Sequence, residues 1–176
     1  LNTEHVNIMT LEDPVEYPME MIRQTSVNEA VKLDFANGVR TMMRQDPDII
    51  LVGEIRDAET AEMAFRAAMT GHQVFSTLHT NSAIGAIPRL LDTGIQAHIM
   101  AGNIIGVMGQ RLVRKLCVQC KEAYEPPRMV RQLLGVGIGN EMPPVYRPRG
   151  CAICDNTGYK GRLAVAEVLK FDKEID

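Results

Sequence analysis

Apolar and polar positions change period along this chain, and the changes mark its elements. Val6–Leu11 is a short apolar run ending at the acidic turn "EDPVE", a pattern that predicts a strand. Residues 12 to 32 show little periodicity and predict a loop with a short extended piece around Gln24–Val27. From Asp34, a plausible helix N-cap, apolar Phe35, Val39, Met42 and Met43 recur at helical spacing until Pro47. "DIILV" then reads as a strand apolar on both faces, the kind that parallel sheets bury. Asp57 should cap a helix running to Met69, with Gly71 stopping it. "QVFSTL" is the next predicted strand, and Asn81 or Ser82 should start another helix. Pro88 falls inside that stretch, so this helix either starts late or kinks. Strand and helix alternate throughout, which predicts an α/β layer fold built on a parallel sheet.

Beyond Leu116 the pattern dissolves into a segment rich in Pro and Gly, after which "RLAVAEVLKF" reads as a strand returning to the fold. With 176 residues, 45% of them hydrophobic, the chain can bury one core with a small appendage. Methionine is frequent, as in helix-rich cores that adjust their packing. Nineteen basic against 22 acidic residues give a net charge of −3, so no overall basic bias points to nucleic acid or membrane. No apolar run reaches the ~20 residues that cross a bilayer. The opening "LNTEHVNIMT" has neither a basic start nor a cleavage site. It begins on Leu, which suggests a piece of something longer, soluble and intracellular by default.

The strongest chemical signal is "CVQC" followed by "CAIC". Together Cys117, Cys120, Cys151 and Cys154 supply four thiolates for one Zn²⁺. The intervening Pro- and Gly-rich segment cannot hold itself, and a metal clamp would supply the missing core. Disulfides are disfavoured in an intracellular chain, and a thioredoxin-like redox site needs only one pair. Four sulfurs leave no open coordination position, so the metal should be structural.

"IILVGE" resembles a Walker B strand, with a carboxylate at the C-terminal end of a buried run. Glu54 could orient or deprotonate an attacking water there, or hold Mg²⁺ through water; a lone match would favour an ordinary acid beside Arg56. Glu12, Asp13 and Glu16 repeat the pattern after the first strand. Three carboxylates so close repel one another unless a cation sits among them, which suits Mg²⁺, although alone they would pass as a solvated turn. His72 and His79 bracket the "QVFSTL" strand, and a neutral imidazole can donate a hydrogen bond to a phosphate oxygen. Either could equally be a structural histidine; His79, past the C-terminal end, is the better candidate. Arg40, Arg44 and Arg56 could pair neighbouring acids or reach a nucleotide, even across a subunit boundary, with Arg40 reading best as helix surface. One part is missing: no G-x-x-x-x-G-K-[ST] phosphate loop occurs, and "GVGIG" at 135–139 precedes no Lys-Ser or Lys-Thr.

"TLEDPVE", "RQDPDIILVGEIRDAETAEMA", "TGHQVFSTLHTN" and "QRLVRKLC", with the two cysteine pairs, resemble the secretion ATPases of type II secretion and type IV pilus assembly over essentially the whole chain. In that family these are the Asp box, the Walker B region and the His box. The resemblance implies a RecA-like α/β ATPase domain, a parallel sheet with helices on both faces, plus a small tetracysteine zinc subdomain. On this reading residues 1–116 are a partial ATPase core, 117–154 the zinc subdomain and 155–176 the return. Glu12 and Glu16 match the Asp-box acids that face Mg²⁺ and the attacking water. Glu54 matches the Walker B glutamate, His72 and His79 the His box, and Asp13 and Arg56 lie where Mg-ATP would sit. Cys117, Cys120, Cys151 and Cys154 match the tetracysteine site, which retraction ATPases generally lack.

The implied parent is a hexameric ring at the cytoplasmic face of the inner membrane. Its ATP hydrolysis drives pilin or pseudopilin assembly through a polytopic membrane platform protein. The family's Walker A loop, and the N-terminal domains with their arginine fingers, are expected upstream of Leu1. By themselves these residues should therefore bind ATP weakly or not at all, and they could self-associate through an exposed strand edge. A second reading is a non-catalytic, zinc-stabilised interaction module. A third, a zinc-ribbon nucleic-acid binder, has only the basic "QRLVRKLCVQCK" behind it and no aromatic stacking residues.

Overall fold

The computed structural model describes residues 1–135 and 143–171; most of "GVGIG" lies outside them. Two compact units divide the chain: Leu1–Gly109 with the described residues from Glu167 on, and Gln110–Ala166.

The first unit is built on four parallel strands in the order β2-β1-β3-β4. These are β1 (Ile8–Glu12), β2 (Ile22–Ser26), β3 (Ile49–Val52) and β4 (Gln73–Ser76). In register, Ile8 stands opposite Ile22 on one side and Ile49 on the other, and Ile49 stands opposite Gln73. Ile8, Met9, Thr10 and Leu11 are all buried, as are Ile49, Ile50 and Val52, so the central strands are covered on both faces as their unbroken apolar runs predict. β4 departs from that expectation. It is the last strand in the order, and Phe75 is 38% exposed despite its apolar neighbours.

Helix α1 (Phe35–Met42) begins at Asp34, whose carboxylate accepts the Asn37 N–H at 2.7 Å. That N–H, above all, holds the Asp34 carboxyl below its ordinary range. Helix α2 (Ala58–Met69) begins at Asp57, which accepts the Thr60 N–H at 2.8 Å. Both caps are the ones the sequence predicts. The end of α2 is a Schellman motif: Gly71 adopts φ +98°, its N–H bonds to Ala68 O, and the His72 N–H reaches back to Ala67 O. The two helices pack on each other, α1 against β1 and β3 and α2 against β4. Gly38 permits this approach, because a Cβ there would lie 2.2 Å from Leu11 Cδ2. Helix α3 (Ala86–Asp92) starts later than Asn81 or Ser82; Pro88 thereby falls in its first turn, where no intrahelical N–H is lost. A short α4 (Ala97–Met100) follows, and Leu90, Ile95 and Met100 complete the core.

Strand β5 (Gly106–Leu116) pairs with the last strand, β8 (Tyr159–Lys170), which "RLAVAEVLKF" foreshadows. Within the second unit, β6 (Glu122–Ala123) and β7 (Tyr146–Arg147) form a small antiparallel pair, with helix α5 (Arg128–Leu133) between them in sequence. Among its described residues, the buried side chains are Cys117, Cys154 and Pro126. That is too little apolar surface for a self-sustaining core.

Leu11 is fully buried where β1 meets α1, so Leu11→Ala should cost about 2–5 kcal/mol. Met69→Ala, at an exposed position, should stay within about 0.5 kcal/mol. Urea denaturation followed by circular dichroism separates the two; equal midpoints would contradict this account of the core.

Candidate active site and metal centre

Parallel strands deliver the residues that follow them to one rim of the sheet. Beyond β3, the Gly53 N–H donates to Leu11 O at 2.8 Å and the Ile55 N–H to Thr77 O at 3.0 Å. The Thr77 hydroxyl closes the arrangement on Gly53 O at 2.7 Å. Glu54 is therefore fixed between the end of β1 and the segment after β4. There is little slack, since a Cβ at Gly53 would sit 3.1 Å from Leu11 O and 3.3 Å from the Phe35 ring.

The Glu54 side chain is 16% exposed, and both its oxygens are engaged. Arg56 donates to Oε1, and His79 Nε2 lies 2.9 Å from Oε2. Arg56 also reaches Asp13 Oδ2 at 3.7 Å, so one guanidinium spans the acids that follow β1 and β3. The Arg56 hydrogen bond, foremost, holds the Glu54 carboxyl below its ordinary value; partial burial opposes it, and the His79 hydrogen bond and both neighbouring charges add to it. The structure thus brings Glu54, Arg56, Asp13 and His79 together. A cavity of about 280 Å³ opens beside them, lined in part by Asp13, Arg56, Asp34 and Asp57.

The other predicted residues lie elsewhere. Glu12 turns to the sheet surface, where Thr10 Oγ1 and, at 3.1 Å, Gln24 Nε2 both donate to its Oε1. Glu16 is exposed and has no ion pair among the described residues. The acids Glu12, Asp13 and Glu16 accordingly do not converge on one point. Among the described residues, the cysteines are the one group of three or more ligating side chains close enough to share an ion. Strand direction separates the two histidines. His72 precedes β4 and His79 follows it, the strand alone spanning roughly 13 Å at about 3.3 Å per residue. The His72 ring turns Nδ1 to Ala67 O at 2.9 Å, completing the end of α2. Arg40 pairs with Asn37 and Glu59 on the helix surface, as expected, and Arg44 has no ion pair among the described residues. Gln24 lies outside every motif quoted, and the strand register is what brings it, with Thr10, to Glu12.

In the second unit the four Sγ atoms lie within 4.8 Å of one another. Cys117–Cys151 is 4.0 Å, Cys120–Cys154 3.8 Å and Cys151–Cys154 3.7 Å. Tetrahedral coordination at about 2.3 Å per Zn–S bond places sulfurs about 3.8 Å apart, so the donor set fits that geometry. Burial pushes Cys120 up to about 11. Burial acts the same way on Cys154, but N–H groups of Cys151 and Gly158, each 3.3 Å from its sulfur, bring it down to about 6. The turn is tight: Gly150 has φ +108°, and a Cβ there would meet Asn156 O at 2.7 Å.

Comparison with known proteins gives the family. The family model described as "Type II/IV secretion system protein" matches residues 1–176. The chain belongs to this family. It is 52% identical over 175 residues to the type II secretion system protein E of Pseudomonas aeruginosa, covering 99% of this chain and 35% of that protein. It is 49% identical over 176 residues to the type IV pilus assembly ATPase TfpB of Acinetobacter baylyi, covering 99% of this chain and 30% of that protein. The chain thus spans about a third of the length of these relatives. Among solved structures it resembles the pilus retraction motor PilT with bound ADP, at a TM-score of 0.66 and 32% identity, covering 99% of this chain and 41% of that one. It also resembles the Legionella pneumophila ATPase DotB, at a TM-score of 0.62 and 25% identity, covering 99% and 40%. An α/β fold with a parallel sheet is common ground for this family member and those ATPases.

The Arg56 contact has a measurable consequence. Arg56→Ala should raise the Glu54 carboxyl toward its ordinary 4.5, read by carboxyl NMR titration. Because the folded-state value is lowered, the associated stability is present above 4.5 and is lost as pH falls through the lowered value. Arg56→Ala should flatten that acid loss, and an unmoved Glu54 titration would show that Arg56 does not set it.

Proposed function

We propose that these residues form the water-activating part of a motor ATPase that powers pilin or pseudopilin assembly in type II secretion or type IV pilus biogenesis. The observation that carries this reading is Glu54, held at a strand end between Arg56 and His79. Hydrolysis needs a polar group to orient the attacking water and charges to meet those developing on the phosphoryl oxygens. Glu54 supplies the first. Its lowered proton affinity suits orienting water, or holding Mg²⁺ through water, better than full deprotonation. His79, 84% exposed, gives its Nε2–H to Glu54, and would donate to a phosphate oxygen by exchanging that contact or by carrying a second proton on Nδ1. Glu12, Asp13 and Glu16 do not converge, so Mg²⁺, which keeps most of its waters, would take one or two of them at most beside the phosphates. Arg56 pairs with both Asp13 and Glu54. His72 serves the site from the far end of β4 by fixing the start of that strand.

In this proposal Cys117, Cys120, Cys151 and Cys154 hold a structural Zn²⁺, which supplies a clamp and no chemistry of its own. The parent works as a hexameric ring at the cytoplasmic face of the inner membrane, partnered by a polytopic platform protein. No helix among the described residues is long and apolar enough to cross a membrane. The tetracysteine set and the relatives named for secretion and pilus assembly favour those roles over retraction. A purely non-catalytic, zinc-stabilised interaction module leaves the Glu54 arrangement without a purpose.

In the full-length motor, Glu54→Gln should lower ATP turnover at least ~100-fold while sparing nucleotide binding; turnover near the parental rate would remove Glu54 from its role. Cobalt titration should give one equivalent with thiolate-to-metal absorption, and Cys151→Ser should weaken it. Zinc removal should unfold the segment around the cysteines while β1–β4 persists. Absence of a tetrathiolate spectrum would refute the metal assignment.

A further inference from the structure

The loop from Asp13 to Met21 carries two of the acids discussed above, yet among the described residues it makes no backbone–backbone hydrogen bond. Side chains hold it instead. Ser26 Oγ accepts the Val15 N–H at 3.1 Å, and Asn2 Nδ2 donates to Glu20 O at 3.0 Å. The central contacts are those of Gln24, on the neighbouring strand β2. Its Oε1 accepts the Met19 N–H at 2.7 Å, and its Nε2 donates to Tyr17 O at 2.9 Å and to Glu12 Oε1 at 3.1 Å. The amide orientation follows from its partners, because an N–H can only donate and the two oxygens facing Nε2 can only accept. Both N–H donors of the amide are used, and its oxygen accepts one hydrogen bond.

The register explains how one side chain reaches both partners. Gln24 stands directly opposite Thr10, and Thr10 lies two residues before Glu12, on the same face of β1. The Thr10 hydroxyl and the Gln24 amide therefore converge on one oxygen of Glu12. With Oε1 saturated, Oε2 is the oxygen left to accept a water proton or a hydrated cation.

We propose that Gln24 is a positioning residue. It fixes the rotamer of Glu12 and couples that carboxylate to the loop bearing Glu16, so that the two acids of the Asp box are presented as one unit. This rests on the ATPase reading given above. Gln24 itself touches neither nucleotide nor water. Its effect passes through Glu12, whose hold on hydrated Mg²⁺ depends on carboxylate orientation.

The test uses the full-length motor with Gln24→Leu, Ser26→Ala and Glu12→Gln. Amide hydrogen exchange needs no catalysis. Gln24→Leu should speed exchange at Met19 by about tenfold or more, with Ile49–Val52 unchanged. ATP turnover should fall about 10–100-fold with KM for ATP within about threefold, and the Mg²⁺ concentration for half-activation should rise several-fold. Ser26→Ala loosens Val15 without touching Glu12 and should leave the Mg²⁺ dependence where it was. A merely structural role for Gln24 would lower the active fraction without moving that dependence, and this result would overturn the proposal. So would unchanged exchange at Met19, or an equal Mg²⁺ shift in Ser26→Ala. Parental turnover in Glu12→Gln would instead overturn the catalytic reading of the Asp box, while the exchange result would still report on the Gln24 contacts alone.

Discussion

The parallel ladder between β1 and β3, extended one residue by the Gly53 N–H on Leu11 O, is the constraint on which the rest of the site depends. Strands that run the same way end on the same rim. Whatever follows β1, β3 and β4 is delivered there without any further device. Asp13, the neighbouring pair Glu54 and Arg56, and His79 are distant in sequence from one another and are brought together in space in this way. Burial makes the ladder rigid: Leu11, Ile50 and Val52 are inaccessible, so the strands cannot slide without exposing apolar surface.

The polar groups on this rim are organised by mutual satisfaction. Among the described residues, no buried side-chain nitrogen or oxygen lacks a partner. Glu54 divides its two oxygens between Arg56 and His79, while Glu12 gives one oxygen to Thr10 and Gln24. The two carboxylates therefore live in different surroundings. One pairs with the Arg56 guanidinium and stays charged below the ordinary carboxylate range; the other is oriented by neutral donors. Acids of one type can take different parts in the proposed hydrolysis because their neighbours differ.

The second unit solves another problem. With so little buried apolar surface, the described residues of this unit take their order from the tight turns at Gly150 and Gly158 and from the converging sulfurs. Arg114 stacked on Tyr159, and Glu122 paired with both Arg147 and Arg149, add surface contacts of modest weight. Four thiols brought to about 4 Å without a strong apolar core are the expected preparation for a metal clamp.

Much of this was legible in the residues themselves. Apolar runs placed β1, β3 and β4, Asp34 and Asp57 announced their helices, Gly71 stopped α2, and the cysteine spacing named its own partners. Local rules suffice there because caps, turns and knuckles are made by residues close in the chain. The late start of α3 followed from Pro88, and the two possibilities left open at that point needed the backbone to choose between them. The sequence by itself determined β1, β3, β4, α1, α2 and β8 and which chemical groups stand at their ends, while β5, α4, α5 and the β6–β7 pair emerged only in the structure. Tertiary structure alone decided that β4 lies at the sheet edge, and that His72 and His79 fall at opposite ends of it. It alone placed Gln24 opposite Thr10, so that an unremarkable amide holds Glu12. Strand order and register are set by the packing of whole faces, and no local pattern encodes which strand lies beside which.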